Sequence, residues 1–160
     1  MSRKAFRYDP LVESDSIRLL RLEPAITREA HLRGPLIHTT IAECSYNLFR
    51  PFTALSYCWG GSDKTCEIHL DGFYTVATTP ALDAALRDMR SETVHGDVWA
   101  DALCINQADD QERARQVSVM HRIYRAATHT VIHLGLPDPE VHDFFARCKP
   151  NSPFAAIQEP

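Results

Sequence analysis

Apolar and polar residues alternate over residues 16–22, where Ile17, Leu19 and Leu20 are interleaved with Arg18 and Arg21. This alternation predicts a first strand. Residues 35–44, PLIHTTIAEC, are β-branched and predict a second, followed by a connection that Pro51 breaks. In TALSYCWGG (53–61), Leu55, Tyr57 and Trp59 fall on one face, and Ala54, Ser56 and Cys58 on the other. The small side allows a neighbouring element to approach closely. Two further strand-like runs within 66–76 flank Asp71-Gly72, a pair that tolerates the positive φ angles of a type I′ hairpin turn.

The period then lengthens. Thr79-Pro80 supplies an N-cap and a first helical proline, and Leu82, Ala85, Leu86 and Met89 follow at helical spacing to about Ser91. A loop at 92–96 leads to an apolar run at 97–105, which predicts a buried strand. A second helix is predicted over 110–127, with Val117, Met120, Ile123, Tyr124 and Ala127 as its apolar stripe. HTVIHLG (129–135) reads as a last strand, stopped by Gly135. Strand, helix, strand at this spacing predicts a βαβ unit whose strands are parallel neighbours. Asp138-Pro139 opens a short predicted helix through Cys148, before an irregular tail. Residues 1–16 form a polar arm anchored by Phe6, Tyr8 and Leu11. The expected fold class is α/β: a single domain over 1–160, with its core at about 8–135.

Composition narrows the function classes. The chain has 160 residues, 44% hydrophobic and 24% charged, with a net charge of −4. No basic face argues for nucleic acid. No apolar run approaches the roughly 20 residues of a membrane span, and the N-terminus lacks a signal-peptide segment. These features predict an intracellular, cytoplasmic protein. The five cysteines are Cys44, Cys58, Cys66, Cys104 and Cys148, with no CxxC pair. Reduced, buried thiols are expected. No metal site is expected: Cys66-x-x-His69 is a lone pair, and His129 and His133 stand about 13 Å apart along one strand face.

The densest chemistry lies in VWADALCINQADDQER, residues 98–113. Ligand sites in α/β sheets form beyond the C-terminal ends of parallel strands. Asn106 and Gln107 occupy that place on a loop. Glu112 follows in the first helical turn, where the helix dipole favours an ionised carboxylate. Asp109-x-x-Glu112 also has capping-box spacing, so capping alone accounts for both residues. Asp101 inside the apolar run needs a partner, namely an Arg, a Trp N–H or loop amides, because an unpaired buried carboxylate is costly. It is read as a brace for the loop, and Asn106 and Gln107 as turn-holding residues. GGSDK (60–64) is read as a turn rather than a phosphate cradle, and Ser56 is outside any nucleophile elbow. Tyr57 and Trp59 are read as core before ligand platform.

FTALSYCWGG, TPALDAALRDMR and VWADALCINQADDQERARQVSVMHRIYRAATHTVIHLG together closely resemble the heterokaryon-incompatibility (HET) domain of filamentous fungi. IRLLRLEP fits the opening of the same pattern, and the likeness covers roughly residues 8–135. The resemblance implies an intracellular module that triggers programmed cell death after fusion of unlike fungal cells. It would act by self-assembly, as a homo-oligomer, or by contact with other cell-death signalling proteins. It also implies a distant likeness to TIR domains, hence a flavodoxin-like, mainly parallel central sheet flanked by helices, with the hairpin at 66–76 as an insertion. Some TIR domains cleave NAD, which makes an NAD glycohydrolase the alternative reading. Glu112 would then be the essential carboxylate at an oxocarbenium-like centre, with Asn106, Gln107, Trp59 and Tyr57 around the substrate. No cofactor is required on either reading, and NAD enters only as substrate. The family pattern usually continues into a tryptophan-containing segment ending in Gln-Glu. Here FAAIQEP follows with no tryptophan after residue 99, so the chain is read as shortened or as lacking that element.

Overall fold

A computed structural model describes residues 4–45, 50–59, 61 and 63–135. In chain order the elements are β1 (Lys4–Ala5), β2 (Ser16–Leu22), β3 (Leu36–Thr40), α1 (Ile41–Ser45), β4 (Thr53–Tyr57), β5 (Cys66–Leu70) and β6 (Tyr74–Thr78). They continue with α2 (Pro80–Met89), β7 (Gly96–Trp99), α3 (Asp101–Cys104), α4 (Asp110–Ala126) and β8 (His129–His133). The fold is mixed α/β with two sheets. The short helix expected at 138–148 lies outside the described residues.

The larger sheet has the order β3-β2-β7-β4-β8. It is mixed rather than mainly parallel: β2 runs antiparallel to both β3 and β7, whereas β4 runs parallel to β7 and β8. The strands at either end of α4 are therefore not neighbours, because β4 lies between them. The parallel neighbour of β7 is β4, reached through the hairpin and α2. The hairpin is more than an insertion, since β1-β6-β5 forms a second sheet. Its turn has the expected positive φ at Asp71 (50°) and Gly72 (72°). The two sheets meet where Gly34 N–H donates to His69 C=O at 3.1 Å and Arg33 bridges His69.

Alternation along β2 and β4 feeds two cores. Leu20, Leu22, Leu55 and Val98 pack with the hairpin residues Ile68 and Leu70 and with Leu82, Ala85 and Leu86 of α2. Ile17, Leu19, Ala54 and Trp99 pack on the opposite side with Ile41 and Cys44 of α1 and Ile123 of α4. Each fully buried large aliphatic side chain contributes roughly 1.5–3 kcal/mol. Helices thus cover opposite faces of the sheet, and the small-residue face of β4 lies under α4.

Two local boundaries and one helix face differ from the sequence expectation. The strand at 35–44 stops at Thr40, where a reciprocal capping box starts α1. Thr40 Oγ1 accepts from Glu43 N–H at 3.1 Å, and Glu43 Oε2 accepts from Thr40 N–H at 3.1 Å. The strand at 97–105 stops at Trp99, and 101–104 form a helical turn. The stripe of α4 is rotated: Ile123 is buried and Met120, Tyr124 and Ala127 pack beside it, but Val117 is 56% exposed. Glu112 and Gln116 take the buried positions instead. By contrast, the α2 cap is as expected, with Leu82 N–H donating to Thr79 Oγ1 at 3.3 Å.

Candidate functional site

The connections after β4 and β7 leave the sheet toward opposite faces, α2 on one and α4 on the other. Two adjacent parallel strands with diverging connections define the place where α/β sheets open a crevice. The residues just past these strand ends are Trp59 and Asp101. Trp59 Nε1–H donates to Asp101 Oδ2 at 3.2 Å, and Ala102 N–H donates to Asp101 Oδ1 at 2.7 Å. A tryptophan N–H and a loop amide are thus the partners the Asp101 carboxylate required. Burial pushes its pKa up, and these two donors offset part of that rise. The Trp59 ring remains 48% exposed. Tyr57 is half-buried and packs on the Leu55 core, and burial pushes its phenol well up.

The loop after α3 is held by its own polar residues. Gln107 Nε2–H donates to Asp101 C=O at 2.9 Å, and Ala108 N–H donates to Asn106 Oδ1 at 3.2 Å. Asp109 caps α4 by accepting from Gln111 and Glu112 N–H, both at 3.0 Å. Glu112 does not close the capping box onto Asp109. It turns inward to Arg18 on β2.

This ion pair is the strongest electrostatic feature of the corner. Arg18 Nη1 and Nη2 donate to Glu112 Oε1 and Oε2 at 2.6 and 2.9 Å, with side-chain exposures of 0% and 3%. Asn106 N–H donates to Oε1 as well, at 2.7 Å. Arg18 further donates to Cys104 C=O at 3.1 Å and Asp9 C=O at 2.6 Å. Burial raises the Glu112 pKa, but Arg18 and the Asn106 amide outweigh it and hold the carboxyl below the ordinary glutamate range. The N-terminal arm closes over the pair. The Tyr8 ring lies 5.0 Å from the Arg18 guanidinium, and its hydroxyl donates to Leu103 C=O at 2.9 Å.

Of the sequence candidates, Trp59 and Asp101 come together, and Asn106 and Glu112 come together. Gln107 and Asp109 brace the segment between. Glu112 faces Arg18 on β2, not the Trp59–Asp101 contact. Sequence reasoning missed Arg18, although its position between Ile17 and Leu19 was the signal: a buried arginine in a strand requires a carboxylate. Gln116 was missed likewise; its Nε2–H donates to Ser16 C=O at 2.9 Å.

Among the described residues no group of three or more His, Cys, Asp and Glu side chains could hold a metal ion. No helix among them is long and apolar enough to cross a membrane. Cys44 and Cys104 are buried free thiols, as expected, whereas the free thiols Cys66 and Cys58 are half-buried and exposed; Cys148 lies outside the described residues. Burial pushes the Cys104 thiol up to about 12.

The chain is 35% identical over 153 residues to "Heterokaryon incompatibility protein 6, OR allele" of Neurospora crassa, an alignment covering 86% of the chain. The chain spans about a fifth of that protein's length, 21%. No solved structure matches. The family model described as heterokaryon incompatibility protein (HET) matches residues 52–157, which include β4, the Trp59–Asp101 contact and all of α4. The chain belongs to the heterokaryon incompatibility (HET) family.

Proposed function

We propose that this chain is a recognition domain of a fungal self/non-self system and works by contact with another protein, leading to cell death. The supporting observation is how the polar residues of 98–113 are engaged. Glu112, Asn106, Gln107, Asp109 and Asp101 all bond within the fold, through Arg18, Trp59 and backbone groups. Such a corner is rigid, and it presents a half-exposed tryptophan held by a carboxylate. Trp side chains fixed in this way are favoured anchors in protein interfaces. The name of the Neurospora crassa relative supports the same reading.

Expression in fungal cells, followed by fusion with compatible and incompatible partners, tests it. Death restricted to one class of partner is the expected result. Normal viability of every fusion, with folded protein at wild-type level, overturns it.

The competing reading, cleavage of NAD at the nicotinamide–ribose bond, draws on the ionised state of Glu112. It requires Glu112 to release both Arg18 and the Asn106 amide before it reaches a substrate. Incubation of concentrated protein with NAD tests this directly. Absence of nicotinamide release at every concentration removes the reading.

A further inference from the structure

The two sheets are joined at a histidine. His69 N–H donates to Leu32 C=O at 3.0 Å, and His69 C=O accepts from Gly34 N–H at 3.1 Å. The same residue stacks its imidazole on that of His31, with ring centroids 4.7 Å apart and planes 29° from parallel. His69 is buried and His31 is exposed. The stack therefore lies across the joint. His31 leads directly into Leu32–Gly34, and His69 belongs to β5 of the hairpin, so the rings hold the same two segments as the backbone bonds.

Neutral flat rings at this distance attract one another. Histidine, however, changes its charge between about pH 5 and 8. The groups around the stack set how much charge it tolerates. Glu67 Oε1, on β5, lies 3.1 Å from His69 Nε2 and balances one imidazolium. Glu23, at the end of β2, and Arg33 line the cavities on both sides of the stack, and Asp71 of the hairpin turn lines the one beside His69. From α2, Arg90 Nη1 donates to His31 C=O at 3.2 Å. Arg87 donates to Ala30 C=O at 2.9 Å, with its charge held by Asp83. One proton on the pair thus turns the His69–Glu67 contact into an ion pair. A second sets like charges face to face at stacking distance, and Arg33 and Arg90 add to the repulsion.

We propose that the His31–His69 stack is a proton-sensitive latch at the joint between the two sheets, closed while at most one ring is charged and loosened when both are. Loosening frees residues 31–34 from β5 and with them the anchorage of the hairpin sheet, whose Ile68 and Leu70 belong to the core beside α2. The latch is independent of the recognition reading.

Native-state hydrogen exchange of the full chain at pH 7.5 and pH 5, resolved by NMR and corrected for the intrinsic rate at each pH, tests it. Protection of the His69 and Gly34 amides should fall at least tenfold at pH 5, while the Leu55 amide in the larger sheet keeps its protection. His31→Phe retains a flat ring without a titrating charge, at an exposed position, and should keep the joint protected at both values. Glu67→Gln removes the balancing carboxylate and should make the joint looser than wild type at pH 5. Equal protection of His69 and Gly34 at the two pH values overturns the proposal. An undiminished fall in His31→Phe also overturns it, because the charge would then act elsewhere. So does an equal loss at Leu55, which would mark opening of the whole fold rather than of the joint.

Discussion

Arg18 and Glu112, 94 positions apart, meet through two N–H···O bonds in a buried site. The pair ties β2 to the first turn of α4, and through the Asn106 amide it also ties down the loop between α3 and α4. Removing one partner leaves the other charged and buried. Arg18→Leu or Glu112→Leu should each destabilise the protein by about 3–5 kcal/mol. The double replacement should recover a large part of that loss, since two apolar side chains leave no uncompensated charge. Urea unfolding of the four proteins, read as a double-mutant cycle, measures the coupling. Additive losses would mean that the two groups do not act as a unit.

The same pair gives a pH dependence. The folded-state pKa of Glu112 is depressed. Its contribution to stability is therefore fully present above the unfolded value of about 4.3 and is lost as pH falls through the lower folded value. Unfolding free energy measured from pH 7 down to pH 3 should decline in the wild type. Glu112→Gln, already destabilised at neutral pH, should decline less steeply. Parallel curves for the two proteins would contradict this assignment.

Asp101 shifts the opposite way, because burial raises its pKa. It takes up a proton before a free aspartate would as pH falls, and this contribution to stability is lost as pH rises through the folded value. Trp59 reports the event directly through its hydrogen bond. Tryptophan emission should show a step with a midpoint above the usual aspartate value of 3.8. Trp99 is fully buried in the opposite core and should contribute a constant background. Asp101→Asn should erase the step. A step unchanged in that variant would assign the change to another group.

Gly34 joins the two sheets and has a φ of 150°. A Cβ there would overlap the backbone carbonyl of Arg21, a rigid group that has no room to yield. Gly34→Ala should therefore cost roughly 3 kcal/mol or more. Thermal unfolding checks this, with Gly96→Ala as the control, because a Cβ at Gly96 meets nothing within 4 Å.

Elements carried by local chemistry were legible in the sequence. β2 has the expected bounds of 16–22, Thr79 and Asp109 cap the helices assigned to them, and Asp71-Gly72 turns the hairpin. Each depends on residues within about four positions of one another. Strand order was not legible, because β7 and β8 bear no mark that β4 will lie between them. The run 97–105 misled because a buried strand and a buried helical turn are equally apolar; Asp101, bonded to the amide after it, was the local sign of the break. Glu112 was placed on the crevice side because helical spacing fixes relative angle and not absolute rotation. Arg18 sets that rotation from 94 residues away.

The matched family segment begins at residue 52, inside the connection to β4 and well past β2. Expressing only that segment would strip away the strand that shields one side of β7 and would strand a carboxylate without its cation. Trimming guided by the recognised pattern alone should therefore yield insoluble or molten material. The practical N-terminal boundary of the folding unit lies upstream of Tyr8, whose ring is the outermost layer over the pair.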